Sequence, residues 1–270
     1  MPELPEVETS RRGIEPYLLN KKVTDVIIRQ KQLRWPIPAS LKKQLINQKI
    51  KSVDRRGKYI LLRTDAGTVI LHLGMSGSLR ILNKSINPEK HDHFDICFSH
   101  KVLRLRDPRR FGAVLWTKSD PLLHKLLKDL GPEPLEDEFT AKYLYEQSRN
   151  RKIAIKTFLM NSHIVVGVGN IYANESLFAA GINPKRTACN ISLARYRKLV
   201  PAIKSILTAS IEQGGTTLKD FINEEGKPGY FQQTLAVYGR AAEACNHCGS
   251  VIKKITQTQR STFYCSRCQK

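Results

Sequence analysis

The chain has 270 residues, long enough for one large or two ordinary domains with an ample core. Its 45 Lys and Arg stand against 24 Asp and Glu, a formal charge of +21. With a pI near 9.9, that balance points to a polyanion, nucleic acid before a membrane surface, because no basic amphipathic helix or lipidation motif accompanies the charge. No apolar run approaches the ~18 residues of a membrane span and the acidic opening is unlike a signal peptide, so the expected location is the cytoplasm.

The chain opens Met1-Pro2-Glu3-Leu4-Pro5-Glu6-Val7-Glu8, the start of a helix with Val7, Ile14 and Leu18 on one stripe. Pro5 suits the first helical position, where a missing N–H costs nothing, and Glu6 and Glu8 suit the first turn. Pro2 and Glu3 then lie just outside the helix. Once Met1 is removed, Pro2 is a free secondary amine, and an α-amino group titrates near ~7.7 to 8.0 against ~10.4 for lysine, so more of it is nucleophilic at neutral pH. The helix N-terminus disfavours an ammonium there, while Glu3 and Glu6 oppose that effect. With a sugar aldehyde carbon, a secondary amine gives a cationic iminium, a good electron sink. Taken alone, a Met-Pro start says little.

From residue 22 to about 117 the pattern is strand-like: Val23 to Ile28, Tyr59 to Arg63, Val69 to Leu73, a hairpin turn at Asp65-Ala66-Gly67, and alternation through Phe94, Ile96, Phe98, Leu103 and Leu105. Two strand-rich layers packed as a sandwich follow. Lys58, at the head of a strand, reads either as a surface lysine or as one projecting into a cleft. Residues 131–139, rich in proline and acid, interrupt the pattern as a hinge would. Beyond them helices are expected near 140–148, 153–160, 170–180 and 192–213, the last ending at Gly214-Gly215. Gly167-Val168-Gly169-Asn170 reads as a sharp turn in which Asn170 caps the next helix, either a plain connector or a phosphate-binding helix N-terminus. The resulting map is an N-terminal domain over 1–130, the hinge, a helical domain over 140–225, a connecting loop over 226–244 and a terminal segment over 245–270.

That last segment holds four of the six cysteines. Cys245, Cys248, Cys265 and Cys268 form C-x2-C, sixteen residues, C-x2-C, the spacing of a four-thiolate zinc site built from two facing knuckles on a small β-hairpin. His247 has no role beside four suitably spaced sulfurs, and Cys97 and Cys189 read as buried small residues. Basic residues recur in groups: Arg55, Arg56 and Lys58; Arg104, Arg106, Arg109 and Arg110; Arg149, Arg151, Lys152 and Lys156; Lys253, Lys254 and Arg260. A charge run is often only a solvated face, but this excess is too large to assign to solubility alone.

Met1 to Thr9, His72-Leu73-Gly74-Met75-Ser76-Gly77, Asp107-Pro108-Arg109-Arg110-Phe111-Gly112, Gly167 to Tyr172 and the cysteine segment together resemble the bacterial formamidopyrimidine-DNA glycosylases from the first residue to the last. The resemblance implies an α+β architecture. A two-layer β-sandwich carries the N-terminal helix, a hinge follows, then a helix-two-turns-helix domain and a zinc-ribbon finger, with DNA held between the halves. It implies a monomeric DNA-repair enzyme that excises 8-oxoguanine and formamidopyrimidines from duplex DNA and then cleaves the abasic strand by β,δ-elimination, with one structural zinc. By the same resemblance Pro2 is the nucleophile, Glu3 handles protons at the sugar, Lys58 is a further catalytic lysine, and Arg260 grips the phosphate flanking the lesion with Asn170 beside it. Met75, Arg109 and Phe111 fill the void left by the flipped nucleotide. His91 and Arg151 contact the DNA backbone, and Thr216, Thr217, Lys219 and Tyr230 belong to a loop that caps the lesion.

Position 161 is Asn where the family more often has Asp, which bears on local helix contacts and not on the chemistry. Three other readings are open. An endonuclease VIII-type enzyme for oxidised pyrimidines shares Pro2, Glu3 and the zinc segment, but Leu4 and the Met75, Arg109, Phe111 set favour the purine enzyme. A zinc-finger DNA-binding protein without catalysis leaves Pro2 and Glu3 idle, and a tautomerase with an N-terminal proline needs neither zinc nor a +21 surface.

Overall fold

A computed structural model describes residues 2–214 and 235–270. They fall into two compact units, 2–129 with Gly214, and 130–213 with 235–270.

The first unit opens with helix α1 (Leu4–Leu18) and continues through strand β1 (Asp25–Ile28), the short helix α2 (Leu41–Leu45) and strands β2 (Ser52–Arg56), β3 (Tyr59–Thr64), β4 (Gly67–His72), β5 (Ser78–Asn83), β6 (Asp92–Cys97), β7 (Lys101–Arg106) and β8 (Ala113–Thr117). The strands form two four-stranded antiparallel sheets, β1-β6-β7-β5 and β2-β3-β4-β8. This is the sandwich expected from the alternating pattern. Its inner faces are closed by Val53, Ile60, Leu62, Phe94, Ile96, Leu103 and Leu105, and the α1 stripe of Val7, Ile14 and Leu18 packs into the same core. Fully burying one such side chain stabilises by roughly 1.5–3 kcal/mol, which is why α1 stays docked. Helix α2 falls inside the stretch read as strand-like, and it buries Leu41 and Leu45 in that core.

Strand β6 departs from simple alternation, since all six of its residues are buried. Its polar face carries Asp95, which accepts from Arg104 Nε and Nη2 at 3.0 Å each and from Arg29 at 2.6 Å. Asp92 pairs with Arg80. The carbonyls of Ile86 and Asn87 close over Arg104, so this face is a covered ionic layer and not a solvated one.

In the second unit α3 (Ala141–Ser148), α4 (Ile155–Leu159), α5 (Asn170–Ala179) and α6 (Leu193–Glu212) share a core through Leu144, Phe158, Tyr172, Leu177, Tyr196 and Ile203. Helix α4 is shorter than expected because Ala154 is taken into a β-bridge with Thr187. The segment from Gly131, read as a hinge, is bonded to this unit: Gly131 N–H donates to Ser162 O, Val166 N–H donates to Pro132 O, and Phe139 is buried in the helical core. Strands β9 (Ile252–Gln257) and β10 (Arg260–Cys265) form the terminal hairpin. Among the described residues no helix is long and apolar enough to cross a membrane.

Candidate active site and metal centre

Pro2 and Glu3 are both buried. Glu3 is the N-cap of α1, so Leu4 is the first helical residue and Pro5 the second, one place later than the sequence reading. Glu3 and Glu6 form a capping box, with the Glu6 carboxylate accepting Glu3 N–H at 2.7 Å. One turn on, Glu8 accepts from Arg11 and Arg12, and from Arg55 Nε of β2 at 3.0 Å. Burial would raise the Glu8 carboxyl, but hydrogen bonds from Arg11 and Arg12 and the charges of Arg11 and Arg55 outweigh it and hold the group below its ordinary value. Arg55 also donates from Nη1 to Gly57 O at 2.9 Å. The helix that presents Pro2 and the Gly57-Lys58 turn between β2 and β3 are therefore tied through one guanidinium.

His72, at the end of β4, lies in a quoted motif but received no role from the sequence. Its ring is 4.7 Å from that of Tyr59, and its Nδ1 accepts Gly74 N–H at 3.0 Å. Burial and then the charges of Lys58 and Arg34 push its pKa down to about 4, so the ring is neutral at physiological pH with the proton on Nε2. Lys58 and His72 thus share one electrostatic environment, which spacing alone does not reveal.

Met75, Arg109 and Phe111 stand on two abutting loops, 73–77 and 107–112, and all three side chains are exposed. The Arg109 guanidinium lies over the Phe111 ring at 4.7 Å. Gly74, at φ +64°, packs its α-carbon against the Phe111 carbonyl so closely that a Cβ would sit 2.4 Å from Phe111 C. Beneath the loops the wholly buried Asp107 accepts Ser76 Oγ–H at 2.7 Å and Gly112 N–H at 2.7 Å, while Ser76 Oγ accepts Arg109 N–H at 3.2 Å. His91 is half-buried beside this turn, its carbonyl accepting Asp107 N–H at 3.0 Å.

In the second unit the N-cap of α5 is Gly169, and Asn170 is the first helical residue with no side-chain cap bond, a correction to the expected cap. Asn170 Oδ1 is buried without a hydrogen-bond partner and its Nδ2 reaches Tyr238 Oη at 3.5 Å. The next residues of α5 hold the surrounding pieces. Asn174 Oδ1 accepts Phe263 N–H of β10 at 2.8 Å, and the Glu175 carboxylate accepts the backbone N–H groups of Ala236, Val237 and Tyr238 at 2.7, 3.0 and 2.8 Å. Asn174 and Glu175 were not found from sequence, since polar residues inside a helix carry no motif of their own, and neither was Tyr238, which lies in a turn. Arg260 is exposed at the mouth of the hairpin, directly after Thr258 and Gln259, whose positive φ angles of 44° and 59° make the two-residue turn. Arg151 is exposed after α3. Thr216, Thr217, Lys219 and Tyr230 lie outside the described residues.

The basic groups need correcting. Arg104 belongs to the covered ionic layer, and Arg149 lies over Tyr145 at 3.7 Å while donating to Ile191 O. Lys156 is buried, donating to Ser261 O at 2.9 Å and Thr262 Oγ1 at 2.7 Å. These charges are engaged in contacts within the fold, Arg104 and Lys156 buried and Arg149 half-buried. Sequence counts charge without showing which charges are spent inside.

Cys245, Cys248, Cys265 and Cys268 bring four sulfurs within 4.8 Å of one another. Cys245 and Cys268 are 3.9 Å apart, and Cys248 and Cys265 3.5 Å. A tetrahedral ion with bonds of ~2.3 Å needs sulfurs about 3.8 Å apart, so the set fits one zinc and leaves no open ligand position. Cys97 is buried as expected, whereas Cys189 is only half-buried; His247 packs on Phe178, ring centroids 4.9 Å apart.

Three family models match in order: a formamidopyrimidine-DNA glycosylase N-terminal domain over residues 1–114, a formamidopyrimidine-DNA glycosylase H2TH domain over 130–222, and a zinc finger found in FPG and IleRS over 242–270. The chain is 58% identical over 269 residues to the formamidopyrimidine-DNA glycosylase of Cellvibrio japonicus and 56% identical over 271 residues to that of Pseudomonas aeruginosa, covering 100% of each chain in both cases. Among solved structures it is similar to a Lactococcus lactis FPG mutant, G226P, in complex with Fapy-dG-containing DNA, with TM-score 0.92, 33% identity and 100% of both chains covered. It is also similar to Lactococcus lactis Fpg in complex with abasic-site DNA, with TM-score 0.91, 33% identity and 99% of both chains covered.

Proposed function

The chain belongs to the formamidopyrimidine-DNA glycosylase family and is a DNA-repair glycosylase and lyase, and on that premise we propose that Pro2 is its nucleophile, acting on oxidised purines and abasic sites in duplex DNA. The observation that supports this reading is the capped, ion-paired start of α1, which holds Pro2, a terminal secondary amine once Met1 is removed, next to the buried Glu3. The uncharged Pro2 nitrogen attacks C1′ as the base departs, and Glu3 moves the proton that opens the sugar ring. The resulting iminium draws electrons from C2′, so C2′–H is lost and the 3′ phosphate leaves; a second proton loss expels the 5′ phosphate. Lys58 supplies positive charge near the base and phosphates.

Attack on C1′ requires the nucleotide to leave the stack, at a cost of a few kcal/mol. Met75 and Phe111 enter the vacated space as apolar and stacking groups, and Arg109 bonds the orphaned partner base. Arg260 and Asn170 hold the phosphate flanking the lesion, the unsatisfied Asn170 Oδ1 meeting a neighbouring donor once the site is filled. His91 and Arg151 hold the backbone further out, and the family resemblance assigns Thr216, Thr217, Lys219 and Tyr230 to recognition of the extruded base. The four cysteines hold zinc, which when bound stabilises the hairpin that bears Arg260 and takes no part in the reaction. Residues 131–139 are proposed as the hinge for the approach of the two units to DNA, and the protein works as a cytoplasmic monomer on the nucleoid.

The test is reductive trapping. Borohydride added during reaction with an 8-oxoguanine duplex is expected to give a covalent complex that peptide mapping places on Pro2. Undiminished strand cleavage by a protein that retains Met1 would sink the assignment.

A further inference from the structure

We propose that Asp107, acting through Ser76, is the positioning residue that makes Met75, Arg109 and Phe111 a single rigid wedge. This rests on the reading of those three side chains as void fillers and adds to it the group that sets their geometry.

An exposed methionine has three rotatable bonds and an exposed arginine four, so a wedge made of such side chains is only as well placed as the backbone beneath it. Here that backbone comes from two loops with no strand pairing between them at Met75 or Arg109. What joins them is one carboxylate with no exposure to solvent. Asp107 Oδ1 takes the Ser76 hydroxyl, next in sequence to Met75, and Oδ2 takes the N–H of Gly112, next to Phe111. Ser76 Oγ then takes the Arg109 N–H. Met75 and Phe111 are therefore each next in sequence to a residue bonded to this carboxylate, and Arg109 is joined to it through the Ser76 hydroxyl.

The turn that allows this is strained. Arg110 sits at φ +55°, an uncommon conformation for an arginine, and its N–H returns to Asp107 O at 3.1 Å. Gly112 lies so near the carboxylate that an added Cβ would stand 2.9 Å from Asp107 Oδ2 and 2.8 Å from His72 O. His93 Nε2 lies 3.0 Å from Asp107 O and fixes the residue from below. A buried ion of this kind is costly unless its lone pairs are filled. Here both oxygens are spent on the loops that carry the wedge.

The two arms respond differently to substitution. Ser76→Ala removes the hydroxyl and so releases both Met75 and Arg109 from the carboxylate, while Gly112 stays bound. Ser76→Thr keeps the hydroxyl. Asp107→Ala empties a buried site and risks the fold, so the serine pair carries the test.

The experiment measures single-turnover excision from an 8-oxoguanine duplex, cleavage of an abasic site in single-stranded DNA, and the fluorescence of 2-aminopurine placed beside the lesion. A single strand has no opposite base and no stack to refill, so it needs no wedge. Ser76→Ala is expected to slow duplex excision about tenfold or more, the fold-change that ~1.4 kcal/mol of a lost charge-assisted bond corresponds to. It should also delay the 2-aminopurine rise and leave single-strand cleavage at the wild-type rate, with Ser76→Thr restoring duplex excision. Met75→Ala serves as the reference. If Met75→Ala is slow on duplex and Ser76→Ala is not, the wedge works without its yoke and the proposal fails. If Ser76→Ala loses both activities equally, its effect is general disruption and the proposal also fails. Should Met75→Ala excise at full rate, the void-filling reading falls, and the yoke with it.

Discussion

Arg55 donates from Nε to Glu8 Oε2 at 3.0 Å and from Nη1 to Gly57 O at 2.9 Å, so a single side chain joins the helix that presents Pro2 to the turn that carries Lys58. Glu8 keeps Arg11 and Arg12 when Arg55 is lost, so the helix should survive Arg55→Ala while the turn loosens. The expected cost in stability is about 1–3 kcal/mol, the range for leaving a buried polar group unmet. Catalysis should suffer more: borohydride trapping slows and kcat falls, with little change in KM. A variant with wild-type kcat would show that the turn needs no tether.

His72 provides a pH signature. Its folded-state pKa is pushed down to about 4, against 6.5 for the free ring, by burial and by the charges of Lys58 and Arg34. The unfolded chain therefore binds this proton more readily than the folded one. Stability from this group is complete above pH 6.5 and is lost as pH falls from there towards about 4. Glu8, also held low, adds loss in the same direction at lower pH as its carboxylate protonates. Unfolding midpoints measured against pH should fall across this window in the wild type and fall less steeply in His72→Gln. An imidazole NMR titration centred between pH 6 and 7 in the folded protein would contradict the burial argument.

The zinc segment makes a prediction about geometry at a distance from the metal. Lys156, Asn174 and the thiolates all grip the hairpin that carries Arg260. Removing zinc with a mercurial and a chelator should release one ion per chain and abolish damage-specific DNA binding, because the Arg260 turn loses its support. Cys268→Ser should do the same. Retained binding by metal-free protein would show that the helical contacts suffice.

Much of this was readable in the sequence, for physical reasons that differ by element. The sandwich strands announced themselves because apolar and β-branched residues alternate wherever one face is buried, and the four cysteines because a tetrahedral ion fixes their spacing. Pro2 could be proposed as a nucleophile from sequence because removal of Met1 leaves a secondary amine there, and the motifs further along the chain gave that amine a context. What stayed hidden depends on contacts between distant residues. Glu175 looks like any helical glutamate until Ala236, Val237 and Tyr238 donate to it. Asp107 is one residue of a motif until Ser76 and Gly112 converge on it. The shift of the α5 cap from Asn170 to Gly169 is the usual uncertainty of one residue at a helix end.

The sharpest distinction is between charges that face solvent and charges that do not. Arg260 and Arg104 look alike in composition, yet Arg260 is exposed on the hairpin while Arg104 holds Asp95 with both side-chain groups buried to within 3%. Each phosphate contact releases counterions, so the logarithm of the binding constant should fall steeply with the logarithm of salt concentration. Arg260→Ala should weaken binding and reduce that slope by about 1, as expected for one lost phosphate contact. Arg104→Lys, which keeps the charge and the fold but gives up the paired geometry, should leave the slope unchanged. Arg104→Ala strands the Asp95 carboxylate beside Arg29 alone and should cost about 3–5 kcal/mol of stability, the range for breaking a buried pair. Denaturant unfolding of the two Arg104 variants, with binding titrations from low to moderate salt on Arg104→Lys and Arg260→Ala, measures both quantities. A slope that drops for Arg104→Lys and not for Arg260→Ala would reverse the assignment of inner and outer charge.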